Sequence, residues 1–207
     1  MAPTISLPLF LARPLEAPSA GVVLIHEGGG ITPQLLRFAQ RLAGAGYAVA
    51  APDLFFRVGG TGAADFAELM GSVDDATLRS DLTESRDALL DSGVGKVAIT
   101  GFCMGGSFSY RAALWDLGFA CAAPFYGSMI PRELGQPACP VQIFWGGSDA
   151  YAKPGDAEAV SAHHPETVVY PKAGHGFMRD GSPDYDPEAA PDAWTRLLAF
   201  MGEHTST

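Results

Sequence analysis

Residues 96–106 read KVAITGFCMGG, an apolar run that leads directly into a glycine-rich turn. The turn matches the nucleophile-elbow pattern G-x-S-x-G, with cysteine in the place of serine. An elbow passes so sharply from strand to helix that side chains two positions before and after the nucleophile would collide, which explains Gly101 and Gly105. The pattern predicts that Cys103 occupies a strained turn with its sulfur exposed above a sheet, and we take Cys103 as the candidate nucleophile.

The sequence after Cys103 is typical of a helix, which we predict over residues 104–115. The N-terminus of this helix points at the sulfur, where unpaired N–H groups and the helix dipole favour a thiolate. The N–H of Met104 is a candidate oxyanion donor. The alternative is that Cys103 is a small core residue in a glycine-rich turn, because free cysteines are often buried. The flanking elements and the partner residues described below favour the nucleophile.

Further apolar runs predict a sheet around this elbow. The runs are continuous rather than alternating, which is typical of strands covered on both faces in a parallel sheet. They lie at 21–25, 47–51, 96–100, 120–125, 141–145 and 167–170. Helical patterns lie between or after them at 33–45, 74–90, 104–115, 156–162 and 187–201, and surface loops are predicted at 57–64 and 180–191. Alternating strands and helices predict an α/β fold with a mostly parallel, doubly wound sheet and helices on both faces.

Length and composition fit this fold. The 207 residues, 47% of them apolar and 17% charged, allow one domain with a sizeable core, and we assign residues 1–207 to a single domain. Thirteen basic and 23 acidic residues give a formal net charge of −10. This charge argues against nucleic acid and anionic membrane surfaces as partners. An anionic substrate is also harder to attract, unless a local arginine or lysine offsets the field.

The cysteines indicate the compartment. Cys103, Cys121 and Cys139 are an odd number at irregular spacing, which provides neither a disulfide framework nor a metal site. Free thiols suit a reducing compartment. No signal peptide and no run long enough to span a bilayer is found in the sequence. We therefore expect a cytoplasmic protein without cofactor or metal, as a monomer or weak homodimer, whose partner is a small-molecule substrate.

Candidates for a base and an acid follow two later apolar runs, where the carboxyl ends of parallel strands form active sites. Asp149 follows the run 141–145, and His175 follows the run 167–170. The order nucleophile, acid, base is that of α/β-hydrolases. His175 is the candidate base, and Asp149 is the candidate group that holds its tautomer. The remaining candidates are weaker: His163 and His164 are predicted to be solvated at a helix end, and Asp53 to have a structural role at a turn.

The first predicted strand is followed by the loop HEGGG at residues 26–30. The dinucleotide pattern G-x-G-x-x-G fails because Pro33 takes the place of its last glycine, and no phosphate-binding G-K-[ST] follows. We interpret the loop as an oxyanion loop with the Gly28 N–H as second donor. Glu27 either takes the thiol proton or is a surface residue, and the sequence leaves both open. His26 is expected to brace the loop.

Together these motifs resemble the dienelactone hydrolase family. The matching segments are HEGGG at 26–30, GFCMGG at 101–106, GSD at 147–149, GHGF at 174–177 and AAPDAW at 189–194. The similarity runs from about residue 20 to about residue 200, nearly the whole chain. Cysteine in the elbow combined with a glutamate in the first loop is fairly specific, because most α/β-hydrolases use serine as nucleophile.

The resemblance implies a Cys-His-Asp triad of Cys103, His175 and Asp149, with Glu27 assisting activation of the thiol. It also implies that the thiol attacks an enol lactone and that water releases the acyl-enzyme. In the family two arginines hold the substrate carboxylate. Arg179 matches the one four residues beyond the catalytic histidine, and we take Arg79 as the nearest candidate for the other.

Two features leave the substrate open. The best-known members of the family have serine where this chain has Gly176 after the histidine. Arg179 has an alternative role in a surface ion pair with Asp180 or Asp184. The sequence therefore predicts a hydrolase of a small, carboxylated lactone or ester, and the alternatives are a general carboxylesterase or thioesterase and a non-catalytic binding member of the fold.

Overall fold

Seven strands form one sheet in a computed structural model, which describes residues 7–60 and 65–206. Their order across the sheet is β1-β3-β2-β4-β5-β6-β7, in which β1 is antiparallel to β3 and all other neighbours are parallel. The strands are β1 (Leu9–Ala12), β2 (Ala20–Ile25), β3 (Tyr47–Pro52), β4 (Val97–Phe102), β5 (Ala122–Phe125), β6 (Phe144–Gly146) and β7 (Val168–Tyr170). The mostly parallel, doubly wound sheet predicted from the sequence is thus confirmed.

The α-helices of the described residues lie between or after these strands. They are α1 (Pro33–Gly44), α2 (Phe66–Gly71), α3 (Asp75–Asp91), α4 (Met104–Leu114), α5 (Asp156–His163) and α6 (Ala189–Thr205). Local signals set their starts: Thr32 and Asp74 accept hydrogen bonds from N–H groups in the first turns of α1 and α3. Pro33 takes the first position of α1, where its missing N–H costs no helical bond.

Two apolar layers cover the two faces of the sheet. Val22 and Leu24 of β2 pack in the layer that contains residues of α1 and α6, whereas Val23 and Ile25 pack in the layer that contains residues of α3 and α4. All six residues of β2, β3 and β4 are buried, which explains why these strands appear as unbroken apolar runs.

Some boundaries differ from the sequence-based expectation. The run 141–145 was expected to be all strand, but β6 begins at Phe144, and only an isolated bridge joins Val141 to Ala122. The predicted loop 180–191 overlaps α6, which begins at Ala189. In the other predicted loop, 57–64, a short 3-10 helix occupies Phe56–Val58, and residues 61–64 lie outside the described residues.

β4 is the central strand of the sheet, with β2 on one side and β5 on the other. The loops that follow β2, β4, β5, β6 and β7 all leave from the carboxyl edge, because these strands are parallel. The sheet therefore brings together the segments in which the sequence placed its candidate residues. Within the described ranges, no helix is both long and apolar enough to cross a bilayer.

Candidate active site

Cys103 lies at the turn between β4 and α4 with φ 56° and ψ −115°, a strained conformation for a residue with a side chain. The turn is tight enough to require its glycines. A Cβ on Gly101 would overlap the carbonyl oxygen of Gly105, and a Cβ on Gly105 would lie 2.5 Å from the carbonyl oxygen of Ile25. The Cys103 N–H donates to the Phe125 carbonyl at 3.1 Å, which fixes the turn to the neighbouring strand. This is the elbow geometry that the glycine pattern predicts.

Two backbone N–H groups are available near the sulfur. Met104 is the first residue of α4, and N–H groups in the first turn of a helix have no acceptor within it. Gly28 lines the cleft that contains Cys103, and in the described part of the chain its N–H donates to no protein group. Both predicted oxyanion donors therefore have a free N–H at this edge of the sheet.

His175 and Asp149 form a close pair on adjoining loops. His175 Nδ1 lies 2.8 Å from Asp149 Oδ2, and both side chains are buried. The second carboxylate oxygen of Asp149 accepts the Tyr151 N–H at 2.8 Å. Backbone hydrogen bonds from Gly147 to Tyr170 and from Ser148 to Ala173 join the two loops. Asp149 is thereby held so that His175 carries its proton on Nδ1 and presents Nε2 to other groups.

The surroundings of His175 change its pKa. Burial lowers the pKa of His175, but hydrogen bonding to Asp149 and Cys103 and the negative charge of these groups act the other way and raise it to about 9. His175 is accordingly an imidazolium at neutral pH when Cys103 is a thiolate. Such an ion pair is the reactive form of a thiol nucleophile.

Two tyrosine rings lie against the imidazole. The ring centroid of Tyr151 is 4.6 Å from that of His175, and the ring centroid of Tyr126 is 5.0 Å from it. Tyr126 is fully buried at φ 38°, and its hydroxyl donates to Glu27 Oε1 at 3.3 Å. Sequence reasoning missed Tyr126. The available signal was its position directly after the apolar run 120–125.

Glu27 lines the same cleft as Cys103, but its carboxylate is bound to other residues. Its Oε2 accepts from Arg179 Nη2 at 2.7 Å and from Arg179 Nε at 3.1 Å. The third guanidinium nitrogen, Nη1, donates to Asp184 at 2.7 Å. Glu27 is therefore neither a free surface group nor, in this conformation, hydrogen-bonded to the sulfur.

The two arginines taken as carboxylate ligands have different locations. Arg179 lines the cleft, and of its two expected surface partners only Asp184 binds it, since Asp180 pairs with Arg37. Arg79 is not brought to the cleft, so its assignment is corrected. It lies on α3, which packs against the face of the sheet rather than at its carboxyl edge, and its guanidinium stacks 3.9 Å from the centroid of the Trp115 ring.

His26 braces the first loop. The Leu54 N–H donates to His26 Nε2 at 3.1 Å, so the proton of the neutral ring is on Nδ1, which donates to the Glu27 carbonyl at 2.6 Å. Burial lowers the pKa of His26 and keeps the ring neutral.

The prediction that His163 and His164 are both solvated is only partly correct. His163 is exposed, but His164 is partly buried, with Nε2 2.7 Å from the Tyr110 hydroxyl.

The cleft has a volume of about 770 Å³ and contains the sulfur, the imidazole and the Glu27–Arg179 pair. Its remaining lining mixes polar, aromatic and small apolar residues: Gly28, Gly29, Ser148, Ala150, Tyr151, Lys172, Gly174, Pro183, Asp184, Tyr185, Asp186 and Pro187. Among residues 7–60 and 65–206, no three His, Cys, Asp or Glu side chains are grouped as ligands of a metal ion. A thiol, an imidazole and a carboxylate placed in this way are able to carry out nucleophilic acyl transfer.

Comparison with known proteins identifies a family and several relatives. A family model described as "Dienelactone hydrolase family" matches residues 7–205. The chain is similar to a "Putative carboxymethylenebutenolidase" of Yersinia pestis, with 29% identity over 234 residues that cover 96% of this chain and 84% of the relative. A crystal structure of a "Putative Dienelactone Hydrolase" from Klebsiella pneumoniae has a TM-score of 0.85 and 28% identity, covering 95% of this chain and 93% of the other. A dienelactone hydrolase-like promiscuous phosphotriesterase from metagenomic libraries has a TM-score of 0.73 and 25% identity, covering 91% and 88%.

Proposed function

The chain belongs to the dienelactone hydrolase family and is a hydrolase of carboxylic esters or lactones, and we propose that it acts through a triad of Cys103, His175 and Asp149. The substrate that we propose is a small, carboxylated enol lactone or ester. The observation that carries the proposal is the placement of Cys103 at a strained elbow, in one cleft with the buried His175–Asp149 pair. The three free thiols support a cytoplasmic location.

Acylation follows from this arrangement. The Cys103 thiolate attacks the carbonyl carbon, and the negative charge that develops on the carbonyl oxygen is stabilised by the N–H groups of Met104 and Gly28. The bond from carbon to the leaving oxygen then breaks, and His175 gives its proton to that oxygen. Asp149 keeps the imidazole in the required tautomer and stabilises its charged form. The product is a thioester on Cys103; in a lactone the released enol stays attached to the acyl group.

In deacylation His175 acts as a base instead of an acid. His175, now neutral, takes a proton from water, which attacks the thioester carbon, and Cys103 leaves as a thiolate. The same two N–H groups stabilise the second tetrahedral intermediate. The proton taken from water stays on His175, so the pair of Cys103 thiolate and His175 imidazolium is formed again and the carboxylic acid is released.

Glu27 and Arg179 give this site its substrate preference in our proposal. Arg179 is bound by Glu27 on one side and Asp184 on the other. A carboxylate on the substrate competes with Glu27 for the guanidinium, whose planar fork suits a carboxylate. Glu27 is then released toward the cleft, where it accepts the thiol proton whenever Cys103 is protonated. The substrate carboxylate thereby binds to Arg179 and also favours the thiolate form of Cys103.

A general esterase is the second candidate, because one observation favours it. Two carboxylates already neutralise Arg179, so the cleft offers an incoming anion little net attraction around this residue. A neutral ester meets no such obstacle. Activity on neutral aryl esters, without a preference for anionic lactones, would decide for this candidate.

The nucleophile is tested by trapping the acyl-enzyme. We expect rapid mixing with p-nitrophenyl acetate, followed by acid quench and peptide mass spectrometry, to find the acetyl group on Cys103. The variant Cys103→Ala should lose both adduct and turnover while its circular dichroism stays native. Cys139→Ala removes a partly exposed thiol elsewhere and is the matched control. An adduct on another residue, or turnover by Cys103→Ala, would contradict the triad.

A further inference from the structure

Two exposed aromatic side chains lie at the mouth of the cleft. In the described residues, large apolar or aromatic side chains that are more than about one-third exposed are few: Leu11, Leu15, Leu90, Tyr151 and Tyr185. Both tyrosines line the cleft that contains Cys103, and they are 74% and 37% exposed. Rings left in water at the edge of a reactive site offer apolar surface that a ligand can bury.

Both rings are carried on loops that are held by hydrogen bonds. Tyr151 follows the acid loop, and its N–H donates to Asp149 Oδ1 at 2.8 Å. The Tyr185 N–H donates to the Ser182 carbonyl at 3.1 Å. Pro183 and Pro187, on either side of Tyr185, line the same cleft and add rigid apolar surface. The backbone that carries both rings is therefore held in place before any substrate arrives, which reduces the entropy lost on binding.

The position of Tyr151 shows which part of a substrate it meets. Its ring lies against His175, with centroids 4.6 Å apart. In the proposed reaction His175 gives its proton to the leaving oxygen, so the group attached to that oxygen departs beside His175 and next to the Tyr151 ring. The cleft volume of about 770 Å³ is large for a small lactone and leaves room for an additional ring.

We propose that Tyr151 and Tyr185, with Pro183 and Pro187, form a subsite for a planar aromatic leaving group, so that the enzyme prefers phenolic esters to alkyl esters. The inference rests on the proposed function and names its leaving-group class. Aromatic rings pair with other rings in offset or edge-to-face geometry more favourably than alkyl groups of similar size do.

The test uses two activated acetates that differ in the leaving group, phenyl acetate and 2,2,2-trifluoroethyl acetate. Each variant is compared with wild type on the same ester, so the intrinsic reactivity of the ester cancels. Tyr185→Ala is the decisive variant because Tyr185 makes no ring contact with His175 in the described residues. We expect kcat/KM for phenyl acetate to fall roughly three- to tenfold, the size of one aromatic contact, and that for trifluoroethyl acetate to change less than about twofold.

Three further variants distinguish the contribution of the aromatic ring from other effects of a substitution. Tyr151→Ala should show the same selective loss, and Tyr151→Phe should retain the preference because it keeps the ring. Leu90→Ala removes an exposed apolar side chain from α3, outside the cleft, and should behave as wild type. If Tyr151→Ala reduces kcat/KM equally for both esters, Tyr151 only positions His175. If Tyr185→Ala also shows no selectivity between the esters, the subsite is refuted.

Binding to the aromatic subsite can also be measured without turnover. Phenol should slow the alkylation of Cys103 by iodoacetamide more than cyclohexanol does at the same concentration, and Tyr185→Ala should remove the difference. No difference in wild type refutes the subsite. Failure of the proposed function is recognised separately, because ester hydrolysis that survives in Cys103→Ala refutes the triad and leaves the phenol result unaffected.

Discussion

The carboxylate of Glu27 accepts two hydrogen bonds from the guanidinium of Arg179, at 2.7 and 3.1 Å, across 152 positions of the chain. The pair joins the loop after β2 to the loop after β7, on the same cleft as Cys103. Asp184 occupies the opposite side of the guanidinium. A substrate carboxylate can use Arg179 only by replacing one of these two carboxylates, so the pair sets how strongly the site discriminates anionic substrates.

Arg179→Ala should selectively impair carboxylated substrates. The measurement is kcat/KM on a lactone with a free carboxylate and on its methyl ester. Desolvated charge contacts of this kind contribute ~2–5 kcal/mol. Arg179 is partly exposed and already paired, so we expect a loss nearer to tenfold, about 1.4 kcal/mol, on the acid and little change on the ester.

Arg37→Ala is the matched control for Arg179→Ala. Arg37 also pairs with an aspartate, Asp180, but it does not line the cleft. It removes the same formal charge and should affect both substrates equally. If Arg179→Ala also changes both substrates equally, Arg179 does not recognise the carboxylate, and the general esterase becomes the better description.

Glu27→Gln should reduce turnover of a carboxylated lactone but leave the reactivity of the Cys103 thiol nearly unchanged. In the resting enzyme the Glu27 carboxylate is bonded to Arg179 and Tyr126, so its removal should change the iodoacetamide rate of Cys103 by less than about twofold. Turnover of a carboxylated lactone should fall by about 10² or more, as for loss of a general base. Parallel losses in both rates would show that Glu27 acts on the thiol before substrate binds.

Cys103 should be alkylated far faster than the other two thiols at neutral pH. Burial and the nearby Cys139 raise the pKa of Cys121 to about 12, and burial and Asp116 raise that of Cys139 to about 11. Both therefore remain protonated and unreactive. Peptide mass spectrometry after partial labelling with iodoacetamide gives the order of reaction, and early label on Cys121 or Cys139 would contradict it.

The sheet could be predicted largely because its strands are buried on both faces. The unbroken apolar runs of β2, β3 and β4 are too short for buried helices, and the helical patterns between them indicate strands of a parallel sheet. β1 was missed for the opposite reason. It is a four-residue edge strand between Pro8 and Pro14 with only Ala12 buried, and its pairing with β3 is antiparallel, so no local signal marks it.

The candidate site could be predicted from the sequence where its residues directly follow predicted strands. Cys103, Asp149 and His175 each follow an apolar run, and the family inferred from their motifs is confirmed by the match over residues 7–205. The partner of Glu27 could not be predicted, because a contact across 152 positions depends on how two loops meet in space. Arg79 was chosen for its place in the chain before the elbow, which does not show where its helix packs.

The charge state of His175 should depend on Asp149 and should link stability to pH. The pKa of His175 in the folded protein is about 9, above its unfolded value, so its contribution to stability is complete below about pH 6.5 and is lost as pH rises through about 9. Asp149→Asn should lower this pKa, measured by NMR titration of the imidazole, and flatten stability over the same range. Asp180→Asn, which affects an exposed ion pair, should leave the titration unchanged. An unchanged His175 titration in Asp149→Asn would refute the pairing as its cause.

The triad makes one further prediction, which concerns how the effects of two mutations combine. If His175 acts only by transferring protons to and from groups that react with Cys103, its value disappears once the nucleophile is absent. Cys103→Ala and His175→Ala should each reduce kcat severely, and the double variant should be little worse than Cys103→Ala alone. The measurement is kcat of wild type, both single variants and the double variant on one ester, with thermal unfolding as a check that all four are folded. A loss from His175→Ala that is as large in the Cys103→Ala background as in wild type would mean that His175 acts independently of Cys103. The two residues would then not work as one unit, and the proposed triad would be wrong.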